Sequence, residues 1–131
     1  RSADKPPALE EAARAQGLSL KAQTLDVSDT ESVAAFIALQ EPFDVMVNAA
    51  GMGRHGPARD ANIDDFDAVM QLNLRGAYFL TQQVGRKLID AGKAGSLMTI
   101  SSQMGHVAGI SKRTNRRCTF VYEVLNGVAA R

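Results

Sequence analysis

The sequence holds one cysteine, Cys118, in 131 residues, which excludes an internal disulfide framework and a multi-thiolate zinc site. No apolar run reaches the roughly 18 residues that a membrane helix needs, so no membrane partner is expected. No apolar signal segment opens the chain either, and a reducing cytoplasm is the expected compartment. Internal repeats, low-complexity tracts and Gly/Ser-rich linkers are missing too. No initiator Met precedes Arg1; the expectation is a trimmed chain or a fragment of a longer one. What is present excludes disorder: 45% of residues are hydrophobic and 22% charged. The length suits one domain, with about two-thirds of the unfolded surface buried in a single core.

The net charge of +1 hides an asymmetry. Residues 1–111 hold 10 Lys and Arg against 13 Asp and Glu, whereas residues 112–131 hold 5 against 1, so the balance moves from −3 to +4. Lys112, Arg113, Arg116 and Arg117 carry most of that basicity. Such a cluster can contact phosphates, but no aromatic residues alternate with the cations to stack bases. The segment therefore reads as a solvated, atypical tail behind a domain of residues 1–111, and nucleic acid is not an expected partner. His55 and His106 lack metal-ligand spacing, and no metal is expected. Cys118 reads as an exposed thiol beside basic neighbours, and the methionines read mainly as core filler.

Hydrophobic period gives an alternation of element types. Residues 7–16 predict a helix, with Pro near its start and Gly17 as its stop. Leu18 to Leu25 alternates apolar and polar residues and predicts a strand with one buried face. Ser28-Asp29-Thr30-Glu31 fits a capping box opening a helix over Thr30 to Gln40, which should bury Val33, Phe36 and Ile37. Asp44 to Val47 predicts a short apolar strand ending at Asn48. A long helix follows from about Asp64 to Ala91, and Gly95 to Ser101 predicts another buried strand. Strands separated by helices run parallel, with crossovers covering both faces. The result is an open α/β sheet, which binds ligands beyond the carboxyl ends of its strands.

The residues at those ends become the candidates. Asp26 follows the first strand, where its carboxylate can accept from an exocyclic amine or simply hold a turn. Asn48-Ala49-Ala50-Gly51 ends the second and leaves no large side chain over the backbone. Ser101-Ser102 ends the third, and the alternation of a strand turns one hydroxyl toward any ligand. The long helix has an apolar stripe of Phe66, Met70, Ala77, Leu80, Val84 and Leu88, with Asn73 in its middle. A buried amide without partners costs about 1–3 kcal/mol, so Asn73 should have partners, structural or within a site.

Four segments, Asp26-Val27-Ser28-Asp29, Val47-Asn48-Ala49-Ala50-Gly51, Leu72-Asn73-Leu74-Arg75-Gly76 and Ile100-Ser101-Ser102, resemble in order and spacing the motifs of the short-chain dehydrogenase/reductase family. The resemblance covers about residues 1–111. It implies a Rossmann-like α/β fold, here a partial, truncated doubly wound parallel sheet with flanking helices. It also implies hydride transfer between NAD(P)(H) and a small-molecule carbonyl or secondary alcohol. By the same resemblance Asp26 and Val27 contact adenine, and Asn48, Ala49, Ala50 and Gly51 border the cofactor. Ala49 stands where the family usually has a second Asn. Asn73 holds a relay water, Ser102 bonds the substrate oxygen, and Arg1 meets a 2′-phosphate, which favours NADP(H) over NAD(H).

Two departures accompany the agreement. The family's opening strand and Gly-x-x-x-Gly-x-Gly turn, which brings a helix N-terminus to the pyrophosphate, have no counterpart. The family also places a Tyr about thirteen residues after the Ser and a Lys four further on, the Lys lowering the phenol pKa. Here Asn115 and Arg116 stand at the first place, and Tyr122 is followed four residues later by Asn126. An unaided Tyr, with a pKa of about 10, stays protonated at pH 7. Beyond Lys112 the sequence resembles nothing in the family, as a frameshift, an aberrant splice or a recombinant junction would produce. The expectation is a catalytically inactive chain; the alternative is a non-catalytic remnant or interaction module with a basic tail. The family's first two strands belong between the predicted strand 18–25 and the strand at 44–47. Without them the two flanks must pair directly or leave open apolar edges, so marginal stability and self-association are expected.

Overall fold

A computed structural model describes residues 5–54, 60 and 62–101 of the chain. In order, it contains α1 (Lys5–Ala15), α2 (Thr30–Ala38), β1 (Val45–Asn48), α3 (Ile63–Met70), a π-turn (Gln71–Gly76), α4 (Ala77–Asp90) and β2 (Ser96–Thr99). β1 and β2 are parallel, with Val45 opposite Ser96 and Asn48 opposite Thr99. The intervening helices make the parallel crossover that the element order predicts.

Helix ends follow local chemistry. α1 and α4 stop alike, at Gly17 (φ 72°) and Gly92 (φ 62°), backbone angles that a side chain resists. Leu18 N–H then bonds Ala13 O and Lys93 N–H bonds Leu88 O, each at 2.9 Å, closing the last turn. The start of α2 differs from the expected capping box. Asp29, not Ser28, is the cap: its Oδ1 accepts from the amides of Glu31 and Ser32, both at 3.1 Å, and its Oδ2 from Ser32 Oγ at 2.6 Å. The Ser28 hydroxyl is spent elsewhere, on Asp26.

The core is the seam between α2 and α4. Val33 and Ile37 meet Leu80, Val84 and Leu88, with Leu25, Val27, Phe36, Phe43 and Met46 packed around them. Lys87 reaches across from α4 and donates to Ile37 O and Ala38 O at 2.8 and 2.9 Å, closing the carboxyl end of α2. The expected stripe holds in α4 but slips in α3, where Val69 is buried and Phe66 is exposed. The cause is the π-turn between them: its wider loop takes one extra residue and rotates the buried face upstream by one position.

The strand expected at 18–25 does not form; the segment has no regular secondary structure and pairs with no strand among the described residues. Alternation alone cannot make a strand, because each backbone group needs a ladder partner. Leu18 and Leu20 lie exposed, while Leu25 packs on the core. The buried character expected of β1 and β2 also fails. Val45 and Val47 are 56% and 53% exposed, and Leu97, Met98 and Ile100 are exposed as well. Met46 packs on the α2–α4 core and Leu97 lies near Gly85 of α4. Among the described residues nothing covers the alternate positions.

Candidate functional site

The carboxyl end of β1 turns on a buried asparagine. Asn48 is 3% exposed, and its Oδ1 accepts from Ala50 N–H at 3.0 Å, bending the chain sharply off the strand. Its backbone carbonyl still accepts from Ile100 N–H at 2.9 Å, so β2 follows β1 up to the bend. Asn48 Nδ2 is buried with no hydrogen-bond partner among the described residues. Beyond the bend Ala49 and Gly51 are exposed and Ala50 half-buried, with nothing larger than a methyl group over this backbone.

Asn73 holds the far side of that loop. Its Oδ1 accepts from Met52 N–H at 2.9 Å and its Nδ2 donates to Met52 O at 2.8 Å. One primary amide thus satisfies both backbone groups of one residue, which needs a donor and an acceptor side by side and suits Asn but not Asp or Leu. The amide that looked anomalous in an apolar stripe is buried with a partner for both its oxygen and its nitrogen. A Cβ on Gly51 would meet Asn73 Oδ1 at 3.6 Å, an ordinary contact, so the clamp does not itself demand glycine there.

The second loop meets both the first and the last residue of the π-turn, Gln71 and Gly76. Asp26 is exposed, and its Oδ1 accepts from Ser28 N–H at 2.9 Å and Ser28 Oγ–H at 2.6 Å. Val27 packs on the core, and its carbonyl lies against Gly76. Gln71 Nε2 donates to Ser28 O at 2.8 Å across 43 residues of chain. Asp26, Val27, Asn48, Ala49, Ala50, Gly51 and Asn73 therefore gather around the carboxyl end of β1 and the π-turn. Arg1 and Ser102 lie outside the described residues, as do Tyr122, Asn126 and the whole segment 102–131.

Sequence reading missed Gln71 and gave Gly76 no role. Gln71 carries no signal, being one polar residue on a long helix. Gly76 did carry one, a glycine in the interior of a helical pattern, where it costs about 1 kcal/mol unless something needs the space.

The family model for short chain dehydrogenases matches residues 1–114. The chain belongs to the short-chain dehydrogenase family. D-threitol dehydrogenase of Mycolicibacterium smegmatis is 37% identical over 87 residues, covering 63% of this chain and 33% of that protein. A metagenomic short-chain oxidoreductase in complex with NADP superposes with a TM-score of 0.86 at 27% identity, covering 99% of this chain and 61% of that one. A gluconate 5-dehydrogenase of Burkholderia cenocepacia, in complex with NADP and tartrate, gives 0.82 and 27%, covering 95% and 50%. The fold is thus a partial Rossmann-like α/β fold of short-chain dehydrogenase type, and the chain spans between a third and three-fifths of the length of these relatives.

The site can be tested for the nicotinamide cofactor that this family implies. The positions that the resemblance gives to adenine and to the cofactor border fit in chemistry: an exposed carboxylate at Asp26, and small side chains from Ala49 to Gly51. The pyrophosphate position does not fit. Gly51 to Arg54 is irregular, and among the described residues the next α-helix opens at Ile63, so no described helix N-terminus stands directly behind the glycines.

Proposed function

We propose that this chain carries the adenine side and central border of an NADP(H)-dependent oxidoreductase acting on a small-molecule carbonyl or secondary alcohol, and that it does not turn over substrate by itself. The observation that carries the reading is that one π-turn holds both the loop after β1 and the loop before α2, through Asn73 on Met52 and Gln71 on Ser28, in a chain of the short-chain dehydrogenase family. When bound, NADP(H) supplies or accepts the hydride. The chain's own contribution is orientation. Asp26 offers its carboxylate to the adenine amine, Val27 gives the ring an apolar wall, and Asn48 to Gly51 keep the border open. Arg1 is assigned to the 2′-phosphate, Ser102 to the substrate oxygen and Asn73 to a relay water.

The absence of turnover follows from proton chemistry. With Asn115 and Arg116 at the expected phenol position and Asn126 four residues after Tyr122, no Tyr–Lys pair exists to exchange a proton near neutral pH. Division at residue 111 belongs to the same reading, and the family match over residues 1–114 supports it. A cytoplasmic location is part of the same proposal. No helix among the described residues is long and apolar enough to cross a membrane. Self-association through a second copy is also proposed, because β1 has a strand on one side only among the described residues and its Val45 and Val47 are exposed.

NADPH fluorescence and thermal shift on the purified chain test the proposal, with D-threitol and gluconate as first substrates. The expected result is saturable binding, tighter for NADPH than for NADH, with no substrate-dependent oxidation. Turnover would overturn the inactive reading. Absence of any nucleotide binding would favour the rival, a non-catalytic remnant or interaction module with its basic tail as the contact surface.

A further inference from the structure

We propose that Gln71 and Gly76 are positioning residues for the adenine-side loop, with the π-turn setting the direction of the Asp26 carboxylate. This rests on the cofactor reading above and deepens it. The chain of contacts is short. Gln71 Nε2 fixes Ser28 through its carbonyl at 2.8 Å. Ser28 in turn fixes Asp26, giving Oδ1 both its amide and its hydroxyl at 2.9 and 2.6 Å. Arg75 Nη1 donates to Gln71 Oε1 at 3.4 Å, which sets the amide with its nitrogen toward Ser28.

Gly76 sets the other coordinate of the loop. A Cβ built on it would lie 2.3 Å from Val27 O and 3.0 Å from Val27 C, backbone atoms that cannot rotate away. Glycine here lets the loop sit directly on the helix, so Val27 and Ser28 are held at one distance by contact and in one direction by a hydrogen bond. A donor on Gln71 without that approach would hold the loop farther out; the approach without the donor would leave it free to rock. A nucleotide that pairs its exocyclic amine with Asp26 needs both, because an interaction requiring aligned groups loses affinity when one must first be ordered.

The experiment is a nuclear magnetic resonance titration of the full chain with adenosine 2′,5′-bisphosphate, which carries the adenine half alone, together with amide hydrogen exchange at residues 26–29. Gln71→Glu removes the donor and faces the Ser28 carbonyl with charge. It should weaken binding about five- to tenfold and speed exchange of those amides at least as much. Gln71→Lys, which restores a donor, should recover most of the affinity. Gly76→Ala should lose binding altogether, and if it fails to fold the Gln71 pair still decides. Lys87→Met, which loosens the far end of α2, is the control for general destabilisation and should leave affinity within twofold. If Gln71→Glu binds like wild type, or Lys87→Met weakens binding as much, the positioning role is overturned while the cofactor reading stands. If wild type binds no adenosine bisphosphate, the cofactor reading falls and takes this inference with it.

Discussion

The carboxyl end of β1 and its exposed face are in opposite circumstances. At the carboxyl end the described loops are tied down: Asn48 holds Ala50, Asn73 holds Met52, and Gln71 and Gly76 hold Ser28 and Val27. Along its length the strand is half dressed, with β2 on one side and exposed valines at alternate positions. Polar clamps depend on one or two facing atoms and form wherever those atoms meet. A sheet face needs a whole layer of side chains across it. The rim can therefore be pre-organised while the sheet behind it stays open, and loss of stability and loss of binding should separate in experiments.

The largest effect is expected at the clamped end. Gly76→Ala forces a methyl into the Val27 carbonyl and should cost about 2–3 kcal/mol in urea unfolding. A wild-type midpoint would show that the loop moves away freely and that the clamped end and the open face of β1 are not different in kind. Asn73→Leu should cost a comparable or slightly smaller amount, about 2 kcal/mol, by leaving the amide and carbonyl of Met52 without partners. Asn73→Asp keeps the acceptor but turns a buried carboxylate oxygen onto the Met52 carbonyl, so at neutral pH it should cost at least as much as Leu.

On the open face the expectation reverses. Val45→Thr with Val47→Thr should change stability by no more than about 0.5 kcal/mol, since both side chains are already exposed. The same pair should lower the mean mass seen by light scattering at a given concentration. A large loss of stability with no change in mass would mean that the face is already covered.

The smallest effect belongs to Asp29. Its carboxyl lies below the ordinary carboxylate range, first because of the hydrogen bond from the Ser32 hydroxyl, then because of the amides of Ser32 and Glu31. A lowered native pKa means that the ionised cap stabilises the fold above the unfolded value of about 3.9, and that this contribution is lost as pH falls through the lowered native one. The stability difference between wild type and Asp29→Ala should therefore be flat from neutral pH down to about 5 and shrink below 4. A difference that persists undiminished in strong acid would show that the cap acts without its charge.

Much of the fold was legible before any coordinates. The stop of α1 at Gly17, the start of α2 at a cap within one residue of its expected place, and the end of the long helix near Ala91 were all readable. The parallel pairing of β1 and β2 follows from the helix between them. The errors share a cause. The segment 18–25 has a strand's alternation but no partner, and Phe66 has a stripe's spacing but lies upstream of a π-turn. Ser28 matches a capping pattern, but its hydroxyl is claimed by Asp26. In each case a local pattern was right about what the residues could do and silent about what they would meet.

The site divides in the same way. That Asn73 must be engaged could be read from one amide in an apolar stripe, because burial penalises an unpaired amide in any fold. That its partner is Met52, that Gln71 reaches Ser28, and that Gly76 makes room for Val27 were settled only by tertiary structure. Local propensity and period act over a turn or two of chain, and they determined the order of helices and strands and the small residues after β1. Contacts spanning 21 and 43 residues depend on how the helices settle against the sheet, which no short stretch of sequence contains.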